Sequence, residues 1–429
     1  MLLCFYQPLL SRRFSKLNLA ERRILVVTSF GHFMSHYNML VFPAIVLPLV
    51  GVLKLDMPQV LGLSFWQYLL FGLMALPWGV AGDRFGAKGL TLVMFLGSGL
   101  SGLAAAIFME SPRTLSLALA GTGLFSAIYH PIGLGLISKG VRRISVAMGY
   151  NAVFGGLGLA VAPLVTGVAV WVSGPKASLF VLAGMNFLGL VLLILLPLEE
   201  SPVRQQEASD GDNGMLGAFL ILLVAVMLGG IAFTGATLIL PTYLELRGHG
   251  ILEALASLSG KSLSGNLVAT SVTTVIYAVG MLGQYVGGHA GDRYECKYSY
   301  LVFHAACIPF AFIMVFAQDF FLMVVAGLYF FFLLGMQAIE NTLVARLSPK
   351  RWHHSAYGLK FVFTFGVGAL GVKMIQGIDS LWGIQSIFYA FGTISVLIVI
   401  SILFLIRWIN RFQVEADRVR EKERYPIGV

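Results

Sequence analysis

Long apolar runs recur down the whole chain and leave room for very few architectures. A helix needs about 20 apolar residues to cross the hydrocarbon core of a bilayer. Twelve runs approach or exceed that length: 24–50, 58–80, 89–109, 113–138, 145–172, 177–197, 216–243, 264–288, 298–316, 320–345, 355–379 and 382–409. In lipid every backbone N–H and C=O must be satisfied internally, so only helices and closed barrels span. The runs lack the apolar–polar alternation of a barrel strand. The expectation is an all-α polytopic membrane protein. Composition agrees: 11% of the residues are charged, against about 25% in soluble domains.

The net charge of +9 is explained by where the cations fall. With the N-terminus inside, 22 of the 29 Lys and Arg lie in segments facing the cytoplasm. The outer loops hold only Lys54, Arg113, Lys176, Arg247 and Lys261. Cytoplasmic loops of membrane proteins carry this excess, so both termini are expected inside, and the short loops suggest a bacterial inner membrane. The charge thus orients the chain in the bilayer and requires no nucleic-acid partner. Cys4, Cys296 and Cys307 show no metal or redox spacing and read as free thiols. The N-terminal segment places its apolar patch before its basic residues, the reverse of a cleavable signal peptide.

One charged pattern occurs twice. "GVAGDRFGAK" at 79–88 returns as "GHAGDRYECK" at 288–297. The offset that relates Asp83 to Asp292 also relates Gly79 to Gly288, Arg84 to Arg293, Lys88 to Lys297, Arg142 to Arg351 and Gly149 to Gly358. The chain therefore reads as a diverged duplication: a six-helix half at 1–198, a polar linker at 199–215, a second half at 216–409 and a charged tail at 410–429. Tandem membrane halves are an architecture of secondary transporters, which bind solute between the halves near the midplane.

With its twelve spans, 6+6 repeat and doubled Gly-Asp-Arg loop, the chain resembles the major facilitator superfamily. The resemblance implies twelve transmembrane helices in two six-helix pseudo-repeats, the major facilitator fold. It also implies a conformational latch. Asp83 would face the start of the eleventh helix near Ser355, and Asp292 the start of the fifth near Ser145, where unpaired N–H groups favour a carboxylate. Arg84, Lys88 and Arg293 complete the two loops. In the fifth run, Gly149, Gly158, Ala162, Pro163, Thr166 and Gly167 resemble the packing motif of the family's antiporters, with two glycines replaced. The first and fourth runs, through His32, Tyr129, His130 and Pro131, resemble the fosmidomycin-resistance-type exporters. This chain has His36 and Ile132 where those exporters tend to carry acids.

Ionisable residues inside a membrane are costly and point to function. His32 and His36 share one helix face, and His130 lies at similar depth. The superfamily resemblance places their helices around a central cavity. On the tenth run Gln337, Glu340 and Asn341 form a polar face, and Lys360 on the eleventh lies at the same depth as Glu340. The expectation is a Glu340–Lys360 pair. Lys373 lies farther out with no evident acid, which suggests an electropositive cavity and an anionic cargo. His289 and His304 read as structural.

These features predict a proton-coupled secondary transporter, an exporter of a small organic and potentially anionic solute, functional as a monomer in the lipid bilayer. Its partners would be that solute and protons. No nucleotide-binding loop, cofactor motif or catalytic constellation stands out. The alternative is an importer or metal-ion permease whose histidines ligate a cation. A transport-dead sensor is a third reading, disfavoured because no large loop or added domain is present.

Overall fold

The computed structural model describes residues 17–198, 216–259, 262–348 and 358–424, apart from the side chains of Asp83, Ser145, Ser259 and 413–424. The linker at 199–215 and the chain around Ser355 lie outside the described residues. Every regular element among the described residues is helical. Among the described residues eleven helices are long and apolar enough to cross a membrane, and a bent pair supplies a twelfth span. The bent span α1 is Leu19–Ala44 plus Val46–Leu53. It is followed by α2 (Met57–Gly82), α3 (Ala87–Ile107), α4 (Pro112–Gly140), α5 (Val146–Ser173) and α6 (Pro175–Leu195). The second half holds α7 (Leu216–Arg247), α8 (Gly265–Arg293), α9 (Cys296–Met314), α10 (Asp319–Leu347), α11 (Gly358–Trp382) and α12 (Ile384–Phe412). A short helix, His249–Ser259, joins α7 to α8.

The first apolar run is not one straight rod. Its two pieces meet at 52° around Ile45. Two prolines account for the bend, since each removes the N–H that would serve the carbonyl four residues earlier. Pro43 leaves the Met39 carbonyl unserved, and Pro48 that of Ala44. Neither remains unpaired. The Tyr68 hydroxyl of α2 donates to the Met39 oxygen at 3.0 Å. The Asn266 amide of α8 donates to the Ala44 oxygen at 2.8 Å.

The second half repeats the first of these devices. Pro241 in α7 frees the Thr237 carbonyl, and the Tyr277 hydroxyl of α8 donates to it at 3.1 Å. Tyr68 and Tyr277 stand at the same offset as the two Gly-Asp-Arg loops. The duplication is thus written in side-chain hydrogen bonds as well as in loops.

Between the halves α5 packs against α8 and α2 against the irregular part of α11. Close approach there depends on missing side chains. A Cβ on Gly72 would run into the backbone of Gly366, and one on Gly167 into the Thr270 hydroxyl. Within the first half Gly158 lets α5 lie on the Phe33 carbonyl of α1. Ala162 and Pro163 are buried between these two glycines. Gly149, the first member of the α5 packing motif, has no described residue within 4 Å of an added Cβ.

Hydrogen bonds join the halves at the end opposite the Gly-Asp-Arg loops. Asn266 reaches Ala44 at the start of α8, and Gln376 donates to the Pro58 carbonyl at 2.7 Å at the start of α2. At the loop end Asp292 is exposed, and no described residue comes within 4 Å of a Cβ placed on Gly149.

Candidate functional site

Three imidazoles meet in the first half. His32 and His36 lie one turn apart on α1, with ring centroids 5.1 Å apart. His130 enters from α4, where the helix breaks between Ser126 and Tyr129. Pro131 explains that break, because it cannot serve the Ala127 carbonyl. The break carries His130 to 5.5 Å from His32 and 5.6 Å from His36, centroid to centroid. One ring nitrogen from each histidine lies within 4.8 Å of the others.

The partners of these rings fix their chemistry. His32 Nδ1 lies 2.9 Å from both the backbone and the side-chain oxygens of Asn151. Carbonyl oxygens only accept, so Nδ1 carries the proton and Nε2 keeps its lone pair. Asn151 is itself held, since the Tyr129 hydroxyl donates to its side-chain oxygen at 2.7 Å. One turn along α5, Gly155 leaves room for the His32 ring, which a Cβ would approach to 2.5 Å. His130 is buried, and its Nε2 has no hydrogen-bond partner among the described residues.

The second half closes over His130. Phe361 stacks on its ring at 4.8 Å and Phe365 at 5.7 Å. Both project from the start of α11, where Val362–Gly366 forms a π-helical turn. Such turns insert one residue into a helix and are frequent at functional sites.

Beside Phe361, Lys360 and Glu340 form a buried ion pair at 3.1 Å. Tyr300 of α9 donates to the other Glu340 oxygen at 2.9 Å, and Lys360 donates to Asn341 at 2.5 Å. Gln337 accepts from Gln284 of α8 at 2.9 Å. The polar face of α10 is therefore divided among α8, α9 and α11. Burying such a pair is tolerable only because each charge is matched and its remaining valences are hydrogen-bonded.

This twelve-span frame matches the model of the Major Facilitator Superfamily over residues 25–372 and again over 263–428. The chain belongs to that superfamily. Among solved structures, this facilitator is similar to a variant of the nucleoside transporter NupG at TM-score 0.70 and 15% identity, covering 90% of this chain and 100% of that one. A POT family transporter in complex with 5-aminolevulinic acid gives TM-score 0.71 and 14% identity, with 89% of this chain and 95% of that one covered. A D-xylose-proton symporter gives 0.69 and 11%, over 89% and 97%. No curated protein matches the chain. At these identities the structures establish a shared fold. Membership of that superfamily makes the chain a secondary transporter of small molecules in a membrane, not an enzyme.

Other expected site residues of this facilitator fall differently. Lys373 is not at the histidine site. It is exposed, donates to Gln376 at 3.0 Å and sits over the Phe65 ring at 5.0 Å. Its side chain turns toward the α2–α11 seam. The Asp83 side chain lies outside the description. Arg84, Lys88, Asp292 and Arg293 are exposed, with Arg84 over Phe85 and Arg293 over Tyr294. His304 is buried edge-on against Tyr300 at 4.6 Å, and His289 bonds the Tyr285 carbonyl at 2.9 Å. Cys296 and Cys307 are free and buried.

Two contributors were not singled out from the sequence. Asn151 orients His32, and its only sequence signal is a polar residue within an apolar run. Glu21 is buried at the start of α1 and takes Arg142 Nε at 3.0 Å, together with the Arg142 backbone N–H at 3.0 Å. Arg142, read from the sequence as an orienting charge and a mark of the repeat, thus also ties the α4–α5 loop to α1.

Proposed function

We propose that this facilitator is a proton-coupled antiporter that exports a small organic solute, with Glu340 and Lys360 as the coupling pair and the histidine cluster at the solute site. The observation that carries the reading is continuity. The buried pair adjoins Phe361, and Phe361 stacks on His130 across the two halves. Protonating Glu340 would remove the charge that compensates Lys360. Losing one partner of a buried pair costs about 3–5 kcal/mol, enough to shift an equilibrium between two packings of α11. Deprotonation would restore the pair and the contact with His130.

Several features support the finer parts of this proposal. Hydrogen bonds hold the halves at the end opposite the Gly-Asp-Arg loops, as one state of an alternating-access cycle would. The small face of α5 at Gly158, Ala162 and Gly167 supports antiport through its resemblance to the antiporter motif. The likeness of α1 and α4 to fosmidomycin-resistance-type exporters supports export. The Lys and Arg distribution supports cytoplasmic termini, the short loops support a bacterial inner membrane, and the proposed working unit is the monomer.

The test uses the purified chain in proteoliposomes. Metabolite comparison of cells with and without the gene nominates solutes, and each is then assayed with an imposed pH gradient. Coupling predicts uphill movement that stops when an ionophore collapses the gradient. Equal movement with and without the gradient would refute it. In Glu340→Gln, solute counterflow should persist while gradient-driven accumulation is lost.

A further inference from the structure

We propose that His32, His36 and His130 form a binding site for one divalent transition-metal ion of the zinc class, held by three imidazoles with a fourth position open. Three ring nitrogens within 4.8 Å of one another are close to a ligand set. Two ligands at about 2.05 Å from a tetrahedral ion stand roughly 3.4 Å apart, so the rings need draw in only modestly. Imidazole suits zinc and its neighbours, and three protein ligands plus an open position is the arrangement of non-structural zinc sites.

Two further observations point to a bound cation. His130 is buried with an unpartnered Nε2. A buried ring nitrogen without a partner is costly, commonly about 1–3 kcal/mol, and with the ring proton on Nδ1 an ion at Nε2 would satisfy it. His32 carries the second mark of a ligand. Its Nδ1 proton goes to the Asn151 oxygens, which fixes the tautomer and leaves Nε2 to bind. Metal-ligating histidines almost always have such a partner on the other nitrogen.

The nearby cations do not oppose an ion at this place. Lys360 is neutralised by Glu340 at 3.1 Å, and Lys373 is exposed beside Phe65. No carboxylate belongs to the cluster, so the bound ion would keep net positive charge. Its open position would then accept water or an oxygen or nitrogen donor of a solute. Binding requires no transport, so failure of this inference leaves proton coupling standing, and failure of coupling leaves the site standing.

The full chain, untagged and stripped of metal in detergent, would be titrated with Zn²⁺ by calorimetry and with Co²⁺ by visible absorption. One ion per chain is expected, with the strong d–d bands of four-coordinate cobalt. His36→Ala and His130→Ala should abolish those bands, while exposed His289→Ala leaves them intact. Asn151→Ala should weaken binding about 10-fold, the low end for a partner that orients a ligand. Zinc-edge X-ray absorption on the loaded wild type then counts imidazoles without relying on any variant folding. Three supports the site. Fewer than three, or no saturable binding to the wild type, overturns it.

Discussion

The two halves descend from one sequence pattern, yet they hold their centres in opposite ways. The first half gathers groups without a fixed charge: three histidines, Asn151 and Tyr129, with Asn38, Ser126 and Asn186 bonded together nearby. The second half buries a full charge pair, Glu340 with Lys360, braced by Tyr300 and Asn341. What both retain is the Pro–Tyr device, in which Tyr68 serves Met39 and Tyr277 serves Thr237. Duplication preserved the groups that satisfy the backbone, while the buried polar centres diverged. That contrast assigns the shared bonds to architecture and the differing centres to chemistry.

The contrast can be broken first at the charge pair. Lys360→Met should destabilise the second half by about 3–5 kcal/mol, because it leaves Glu340 buried and unpaired. The double variant Glu340→Gln with Lys360→Met should recover most of that loss. Thermal unfolding in detergent reads both. If the double variant were as unstable as the single one, the pair would be acting through packing alone.

The shared device comes next in size. Tyr68→Phe and Tyr277→Phe each strip a donor from a proline-freed carbonyl, which should cost about 1–3 kcal/mol. Similar unfolding shifts in the two variants would support a common architectural role. A large loss in one with none in the other would dissolve the equivalence.

Asn266→Ala should act on the cycle more than on the fold. Losing its bond to Ala44 weakens the end opposite the loops by about 1 kcal/mol, roughly a fivefold shift between states. Thiol labelling of single cysteines placed near Asn266 should speed up, and labelling beside Gly149 should slow down. The smallest effects belong to the loops, where Asp83→Asn should reduce transport more than Asp292→Asn. The second loop is the degraded copy, with Glu295 in place of Gly86. Equal losses in a transport assay would remove that ranking.

Much of this was legible in the chain because lipid simplifies the problem. Hydropathy marked the spans, and an identical offset between loops revealed the repeat. Glu340 and Lys360 could be matched because equal depth in a membrane leaves two opposite charges few other partners. Lys373 shows the limit of that reasoning, since depth fixes a height along the helix and leaves open the direction a long side chain takes. Asn151 was hidden for a related reason. Its role exists only where α5 meets α1, and a lone amide in an apolar run does not announce its neighbour. The bend in α1 was written in Pro43 and Pro48, but the donors that make it stable lie in α2 and α8, remote in sequence.

The π-helical turn at Val362–Gly366 gives α11 the properties of a clutch. One residue of an α-helix corresponds to about 100° of rotation. If the extra residue were absorbed, everything before the turn would swivel by that angle while everything after it stayed in register. Lys360 and Phe361 lie before it, beside Glu340 and His130, and Gln376 lies after it, fastened to Pro58. A single helix could therefore disengage at the centre of the protein while its far end remained bolted to the opposite half.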